Sequence, residues 1–117
     1  MARVEGCLFC SIAVGDIPAT IVRESELTIS FRDINPVAPT HVLVVTREHY
    51  ADVADVAAED PHAAAELLTE AAGVAADEGL VDSGWRLVSN TGEEAGQSVH
   101  HVHVHVLGGR TLSWPPG

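Results

Sequence analysis

Three histidines at alternate positions near the C-terminal end of the chain carry its strongest chemical signal. His101, His103 and His105 are separated by single valines. Because side chains of a β-strand alternate between its two faces, the three imidazoles share one face and the valines share the other. A neutral imidazole is a competent nucleophile near pH 7 and also makes hydrogen bonds. The spacing therefore predicts a catalytic or phosphate-binding row on a rigid strand.

Two other interpretations of this row are a zinc site and a purely structural set of polar residues. Three imidazoles can bind a catalytic zinc ion. Alternate residues of a strand lie about 7 Å apart, however, so a straight strand does not bring three imidazoles onto one ion. A structural role does not require strict alternation. The spacing favours catalysis or phosphate binding.

The loop before the histidines is rich in hydrogen-bond donors. Residues 90–99 contain two glycines together with Asn90, Gln97 and Ser98. Glycines let backbone N–H groups turn toward a phosphate, and the side chains add amide and hydroxyl donors. Glycine and asparagine also mark ordinary hairpins, so this loop supports a phosphate site only together with the histidines.

Cys7 and Cys10 form a second group that could do chemistry. Two thiolates spaced C-x-x-C can bind one metal ion, and a closed zinc site needs two further ligands. A redox pair of the thioredoxin type is disfavoured because no strand–helix pattern precedes the cysteines. Two small core residues remain the alternative.

Length and composition exclude several classes of protein. The 117 residues suit one domain, 1–117, and no run of 18 apolar residues is present to span a membrane. Residues 1–5 carry no apolar signal segment, and two closely spaced cysteines suit a reducing compartment, so we expect a cytoplasmic protein. The net charge of −11 argues against binding to nucleic acid or to an anionic membrane surface. A small anionic ligand held by local donors remains compatible.

The elements that must position these groups predict an α+β domain with an antiparallel sheet. A main helix should begin after Asp60 as N-cap, with Pro61 in its first turn, and end at Gly79. A shorter helix is expected over residues 50–58, and the prolines of residues 35–39 predict a loop. β-branched and apolar runs predict strands over residues 20–23, 27–32, 41–46, 85–89 and 101–107.

These motifs together resemble the histidine-triad (HIT) superfamily, and its Hint branch in particular. Residues 101–107 match the family signature of three histidines alternating with apolar residues. The resemblance covers nearly the whole chain. Its other parts are a second histidine motif at 38–41, a ribose-binding segment at 31–34, and the Hint-like segments 96–99, 108–110 and 114–117.

The resemblance implies the HIT fold, with about five antiparallel strands, one main helix and one short helix. It also implies a two-fold homodimer that joins two sheets, with Trp114 near the active site of the partner. The function implied is that of a nucleotide-binding hydrolase, a nucleoside phosphoramidase or acyl-nucleotide hydrolase, acting on purine nucleoside monophosphate derivatives. No cofactor is required for that chemistry.

Residue roles follow from the resemblance position by position. His103 would be the nucleophile that forms a covalent nucleotidyl-histidine, with its other ring nitrogen donating to a backbone carbonyl. His105 would donate to a phosphoryl oxygen, and His41 would sit behind the row and support it. His101 would be the third catalytic histidine of the row. Ser98 would also serve catalysis. The nucleotide-binding set would comprise Leu8, Phe9, Ile12, Phe31, Asp33, Ile34, Leu43, Asn90, Gln97, Ser98, Val99 and Trp114, with Asp33 on the ribose hydroxyls.

Similarity to bacterial members of the family implies a structural zinc ion bound by Cys7, Cys10, His49 and His101. His100, on the opposite face by alternation, is an alternative to His101. A dinucleoside polyphosphate hydrolase is the main alternative enzyme, although the ending at 114–117 favours the Hint branch. A non-catalytic nucleotide sensor or scaffold is the alternative of a different class.

Overall fold

A five-stranded antiparallel sheet carries the histidines. The computed structural model describes residues 3–117, so Met1 and Ala2 of the expected domain lie outside the described residues. The strand order is β1-β2-β3-β5-β4, and every neighbouring pair is antiparallel. The α+β class with five antiparallel strands is thereby confirmed. The strands are β1 (Ile21–Glu24), β2 (Thr28–Arg32), β3 (Thr40–Thr46), β4 (Trp85–Val88) and β5 (His103–Gly108).

Within residues 3–117, three α-helices and one 3-10 turn accompany the sheet. The main helix has the expected start, because the Asp60 side chain accepts a hydrogen bond from the backbone N–H of Ala63 and Pro61 occupies the first turn. Gly79, just beyond its end, has φ +73°, which suits glycine. The helices are α1 (Leu8–Ala13), α2 (Val53–Glu59), α3 (Pro61–Asp77) and a 3-10 turn at Glu93–Ala95.

The two short helices differ from expectation. Helix α1 is not predicted by the sequence, because six residues are too few to show an apolar period. Its N-cap is Cys7, whose sulfur lies 3.5 Å from the backbone nitrogen of Cys10. Helix α2 begins at Val53 rather than at residue 50, because the Asp52 side chain accepts a hydrogen bond from the N–H of Asp55 and caps the helix there.

The sheet is buried on both faces. Val102, Val104 and Val106 lie in a core with α3 residues such as Leu67 and Val74. The opposite face, beneath α1, forms a second apolar cluster of Phe9, Ile12, Ile29, Phe31, Leu43 and Val45. The expected division of valines and histidines between two faces is thus present. Within residues 3–117, no helix is both long and apolar enough to cross a membrane.

Strand β5 begins at His103, so the prediction of a strand from residue 101 is wrong by two residues. The N–H of Val102 donates to the carbonyl oxygen of Tyr50 over 2.7 Å, beyond the end of β3 at Thr46. Residues 101 and 102 lie beyond the end of β3, the strand with which β5 pairs. The N–H of Val102 therefore bonds to a carbonyl oxygen of the segment after β3 and not to a strand. As a result, His101 is held outside the regular row of His103 and His105.

An ion pair joins the end of α3 to the end of β2, next to the start of β3. Arg32 donates two hydrogen bonds to the carboxylate of Glu78, at 2.8 and 3.0 Å, and the hydroxyl of Thr40 donates to the same carboxylate at 3.1 Å. The Arg32 guanidinium is the main reason that the pKa of Glu78 lies below its ordinary value. The arrangement ties β2 and β3 together immediately next to Asp33 and His41.

Candidate active site

A cavity of about 250 Å³ opens on the α1 side of the sheet. One wall is apolar, and the other carries the groups capable of chemistry: Asp33, Ser98, His103 and His105. A mainly apolar pocket with a few converging polar groups is the usual form of a small-molecule site. The apolar wall includes Leu8, Phe9, Ile12, Phe31 and Leu43.

His103 is oriented by the backbone of the triad itself. Its Nδ1 atom lies 2.8 Å from the carbonyl oxygen of His101. A carbonyl oxygen can only accept, so Nδ1 of His103 carries the proton and Nε2 keeps its lone pair. The ring of Phe9 packs edge-on against the imidazole, with 5.0 Å between ring centroids. His103 therefore has a fixed ring and a free nucleophilic nitrogen.

His105 is set in the opposite tautomer through His41. The backbone N–H of Val37 donates to Nδ1 of His41 at 3.1 Å, so the proton of neutral His41 is on Nε2. That Nε2 lies 2.9 Å from Nδ1 of His105 and donates to it. The proton of His105 must then be on Nε2. On the same strand, His103 thus offers a lone pair on Nε2, whereas His105 offers a proton on Nε2.

Burial keeps the imidazoles neutral at physiological pH. It lowers the pKa of His105 to about 4, with a smaller contribution from neighbouring histidines. It also lowers the pKa of His41 and of His103, against the opposing effect of the Asp33 carboxylate on both. The tautomers assigned to His41, His103 and His105 apply to neutral imidazoles, which carry one proton each.

Asp33 combines a turn-forming role with a free acceptor at the cavity. Its Oδ1 accepts a hydrogen bond from the N–H of Asn35 at 2.8 Å, an Asx turn before Pro36. Its Oδ2 lies 3.4 Å from Nε2 of His41. A carboxylate has about four acceptor positions, so capacity remains for two hydroxyl groups of a ligand.

Cys7, Cys10, His49 and His101 come together beside the cavity, with one ligand atom from each within 4.8 Å of the others. Nδ1 of His101 lies 3.4 Å from Sγ of Cys7 and 3.5 Å from Sγ of Cys10. Nδ1 of His49 lies 3.4 Å from Sγ of Cys10. Tetrahedral zinc separates a sulfur and a nitrogen ligand by about 3.6 Å. The donor set and its spacing therefore fit zinc.

His101 connects this cluster to His103. Its Nε2 donates to the carbonyl oxygen of Thr46 at 2.7 Å, which leaves Nδ1 as a lone pair directed at the two sulfurs. Its own carbonyl oxygen holds Nδ1 of His103. His100, by contrast, is exposed and is absent from the four-residue cluster.

Comparison with known proteins identifies the family to which this geometry belongs. Residues 14–112 match the HIT domain. The chain belongs to the HIT family. It is 43% identical over 108 residues to a purine nucleoside phosphoramidase of Escherichia coli K12, covering 92% of this chain and 91% of that protein. An uncharacterized HIT-like protein of Synechococcus elongatus is 44% identical over 113 residues, 97% of this chain and 98% of that protein.

A solved structure resembles this HIT domain closely. The crystal structure of a HIT family hydrolase from Legionella pneumophila Philadelphia 1 superposes with a TM-score of 0.92 at 48% sequence identity. The match covers 96% of this chain and all of the other, 100%. The fold of this chain is therefore that of a HIT family hydrolase.

Most sequence-predicted site residues of this HIT domain line the cavity, but three of the nucleotide-binding set do not. Gln97 is absent from the lining, and its amide donates to the carbonyl oxygen of Ala51 at 2.7 Å and accepts from the N–H of Gly92 at 2.9 Å. Asn90 is half-buried outside the lining, and Trp114 is 80% exposed. Those that do line it are Leu8, Phe9, Ile12, Phe31, Asp33, Ile34, Leu43, Ser98, Val99, His103 and His105.

Sequence reasoning did not identify four lining residues. Ile17, Pro18 and Ala19 come from the irregular segment after α1, which shows no periodicity. Arg32 adjoins Asp33, and its position within 31–34, the segment that resembles the family's ribose-binding segment, was the one available signal. The HIT cavity therefore draws one wall from a segment that no short-range pattern marks.

Proposed function

We propose that this HIT protein is a hydrolase that releases purine nucleoside monophosphates from phosphoramidates and related acyl-nucleotides. The observation that carries the proposal is the pair His103 and His105. One presents a lone pair on Nε2 and the other a proton on Nε2, side by side at one cavity wall. A nucleophile next to a hydrogen-bond donor is what attack on a phosphoryl group requires.

The first step is displacement at phosphorus. Nε2 of His103 forms a bond to phosphorus while the bond between phosphorus and the leaving nitrogen breaks. The leaving nitrogen, protonated by solvent, departs as a neutral amine. The imidazole, already protonated on Nδ1, becomes a cation that the carbonyl oxygen of His101 stabilises through its 2.8 Å contact. The Nε2–H of His105 donates a hydrogen bond to a phosphoryl oxygen and keeps its proton.

The second step is hydrolysis of the nucleotidyl-histidine. Water attacks phosphorus, the bond from phosphorus to Nε2 of His103 breaks, and the electron pair returns to the imidazole. The proton released by water passes to solvent, and the nucleoside monophosphate leaves. Two displacements of this kind are typical of covalent catalysis.

The other side chains hold the nucleotide. Asp33 accepts hydrogen bonds from the ribose hydroxyls, and Ser98 contacts the phosphate and leaving group. The apolar wall that contains Phe9 and Phe31 packs against the base. The T-shaped pair of these two rings, 5.5 Å apart, makes a rigid surface for a flat ring system.

Charge at the site favours a phosphoramidate over a dinucleoside polyphosphate. A polyphosphate brings several negative charges, which proteins usually neutralise with arginine, lysine or a metal ion. Arg32 is the only arginine or lysine that lines the cavity in the described part of the chain, and its guanidinium is bound to Glu78. The Escherichia coli relative named as a purine nucleoside phosphoramidase supports the same substrate class.

We also propose that Cys7, Cys10, His49 and His101 hold a structural zinc ion. A closed four-ligand site would bind N-terminal residues to the segment that precedes β5, and the chemistry above does not pass through it. Two metal-binding thiols suit a reducing cytoplasm. We propose that the protein acts there as a two-fold homodimer, with edge strand β4 at the interface.

Turnover of adenosine 5′-phosphoramidate by purified protein tests the enzyme. We expect release of adenosine monophosphate, and much slower hydrolysis of diadenosine tetraphosphate at equal concentration. Tight nucleotide binding without any turnover would instead support the sensor. Faster cleavage of the tetraphosphate would support the polyphosphate hydrolase.

A further inference from the structure

The carboxylate of Glu78 is bound by the two residues that immediately precede Asp33 and His41 in the chain. Arg32 donates to both of its oxygens, at 2.8 and 3.0 Å, and the hydroxyl of Thr40 donates to Oε1 at 3.1 Å. Glu78 itself is absent from the described lining of the active-site cavity. It therefore contacts the chain neighbours of two site residues from outside the space where a ligand binds.

Strand alternation extends this contact to the opposite face of the sheet. Arg32 ends β2 and Thr40 begins β3, and both side chains meet at Glu78. The next residue in each case, Asp33 or His41, points to the other face, because successive side chains of an extended chain alternate. The backbone N–H of Asp33 donates to the carbonyl oxygen of His41 at 2.9 Å. One carboxylate behind the sheet thus holds both sides of that hydrogen bond.

Asp33 lies where the regular strand ends and an exposed loop begins. Strand β2 ends at Arg32, and residues 34–37 are exposed. A side chain at the start of such a loop is held less precisely than one within a strand. The double hydrogen bond from Arg32 to Glu78 fixes the last residue before Asp33, because a paired guanidinium and carboxylate define both a distance and an angle.

The position of Glu78 is unfavourable for helix α3 taken alone. The helix ends at Asp77, and its last four residues, 74–77, include no arginine, lysine or histidine. Carboxylates at a helix C-terminus oppose the helix dipole. Asp77 is paired as well, because Nη1 of Arg23 on β1 donates to its Oδ2 at 3.0 Å. Both carboxylates are therefore stabilised by the sheet and not by the helix that carries them.

We propose that Glu78 is a positioning residue of the active site, which acts through Arg32 on Asp33 and through Thr40 on His41. The proposal rests on the proposed function, in which Asp33 binds the ribose hydroxyls. Without the Glu78 carboxylate, Asp33 loses its fixed orientation, so its contact with the ribose weakens while the apolar contact with the base persists. The same loss loosens the 2.9 Å contact of His41 with His105.

The ribose hydroxyls report the orientation of Asp33. The probes are adenosine 5′-monophosphate and its 2′,3′-dideoxy analogue, and the ratio of their dissociation constants isolates the contact with Asp33. We expect wild-type protein to bind the dideoxy nucleotide at least about tenfold more weakly, as hydrogen bonds to a charged group predict. Glu78→Gln should reduce this ratio at least about threefold, because an amide keeps one acceptor oxygen and turns a donor toward the guanidinium.

Asp77→Asn is the matched control. It removes a carboxylate from the same helix end, one that is also bonded to an arginine of the sheet, and both Asp77 and Arg23 are absent from the described lining of the cavity. The ratio should keep its wild-type value in this variant. Thermal melting of both variants measures any loss of stability that they share, which is separate from the ratio.

Thr40→Val separates the two arms of the link. The side chains are similar in size, and the change removes the hydroxyl bonded to Glu78. We expect the ribose ratio to be retained and kcat on adenosine 5′-phosphoramidate to fall about threefold, because only His41 loses its support. An unchanged kcat in this variant would overturn the arm that acts on His41.

The outcomes separate this proposal from the proposed function. An unchanged ratio in folded Glu78→Gln, or an equal decrease in Asp77→Asn, would overturn the positioning role of Glu78 and leave the nucleotide site intact. A wild-type protein that binds both nucleotides equally well would instead overturn the ribose contact of Asp33, on which the positioning role rests.

Discussion

His103 and His105 are two residues apart on one strand, yet they hold their protons on opposite ring nitrogens. The difference comes from their partners. Nδ1 of His103 faces a carbonyl oxygen, which can only accept, whereas Nδ1 of His105 faces the N–H of His41, which donates. The N–H of Val37 determines the tautomer of His41 in turn. One backbone carbonyl therefore sets the tautomer of His103, and one backbone N–H sets those of His41 and His105.

The nucleophile can be tested by removing its ring. His103→Ala should reduce kcat on adenosine 5′-phosphoramidate by at least about a thousandfold, because no other side chain replaces Nε2. His62→Ala removes an exposed histidine of α3 and is the matched control, which should keep wild-type kcat. Steady-state rates and circular dichroism would be measured together. Wild-type kcat in a folded His103→Ala protein would rule out this nucleophile.

The covalent intermediate can be trapped directly. Wild-type protein quenched under alkaline denaturing conditions during turnover should carry one nucleoside monophosphate on the peptide that contains His103, because the mechanism needs two displacements. Mass spectrometry of the digest locates the adduct. A substrate chiral at phosphorus should react with net retention. An adduct on another histidine, or inversion at phosphorus, would contradict the two-step path.

At the scale of elements, the cysteine–histidine cluster joins three segments that share no hydrogen-bond ladder. Cys7 and Cys10 belong to the start of α1, His49 follows β3, and His101 precedes β5. Helix α1 has only six residues, too few to be stable by itself. Packing of Phe9 and Ile12 on the sheet supports this helix. The proposed metal would add coordinate bonds from the two cysteines to the segments that carry His49 and His101.

Zinc content and melting temperature test this link. We expect one zinc per chain in protein purified without added metal, and a strong chelator should lower the melting temperature. Activity at moderate temperature should fall less than stability does, because no reaction step uses the ion. In Cys7→Ser the chelator should have no further effect, which provides the internal control. A zinc-free preparation whose Cys7→Ser variant melts like wild type would leave both cysteines as plain core residues.

At the scale of the whole molecule, neutral buried histidines make stability depend on pH. Burial lowers the folded-state pKa of His105 from 6.5 to about 4, and it lowers that of His41 too. Between these values the unfolded chain binds protons that the folded chain does not. With respect to these histidines, the free energy of unfolding therefore has its full value above about pH 6.5 and decreases progressively toward pH 4.

The expected loss is large enough to measure. For His105 alone it approaches about 3 kcal/mol at pH 4, from about 1.4 kcal/mol per pKa unit. Urea unfolding at several values between pH 7 and pH 4.5 gives the slope of the free energy of unfolding. His105→Gln should flatten that slope. An unchanged slope in this variant would show that the histidine is not held neutral by the fold.

The assembly of the molecule can be tested independently of its chemistry. Strand β4 is an edge of the sheet, with one side unpaired in the single chain, and Trp85 on it is partly exposed. Pairing of this edge with a second copy would remove it from solvent. Sedimentation equilibrium should give twice the chain mass of 12.3 kDa at micromolar concentration. A single-chain mass there would contradict the dimer.

The amino-acid sequence by itself determined the features that depend on local periodicity. Alternation of histidine and valine places Val104 and Val106 against α3 and His103 on the other face, because successive side chains of a strand point in opposite directions. Asp60 and Pro61 start α3 for a similarly local reason. The identity of the fold class followed from such patterns.

Only the tertiary structure decided how distant residues meet. His101 and Cys10 are 91 residues apart in the chain, yet Nδ1 of His101 lies 3.5 Å from Sγ of Cys10. The residues just before β5 lie outside the sheet, and this position places His101 beside the cysteine. His41 and His105, 64 residues apart, meet through pairing of β3 with β5. Strand alternation fixes the face on which a side chain lies. The ring nitrogen that carries the proton of His105, however, depends on His41, which folding brings from 64 residues away, and no local pattern encodes that partner.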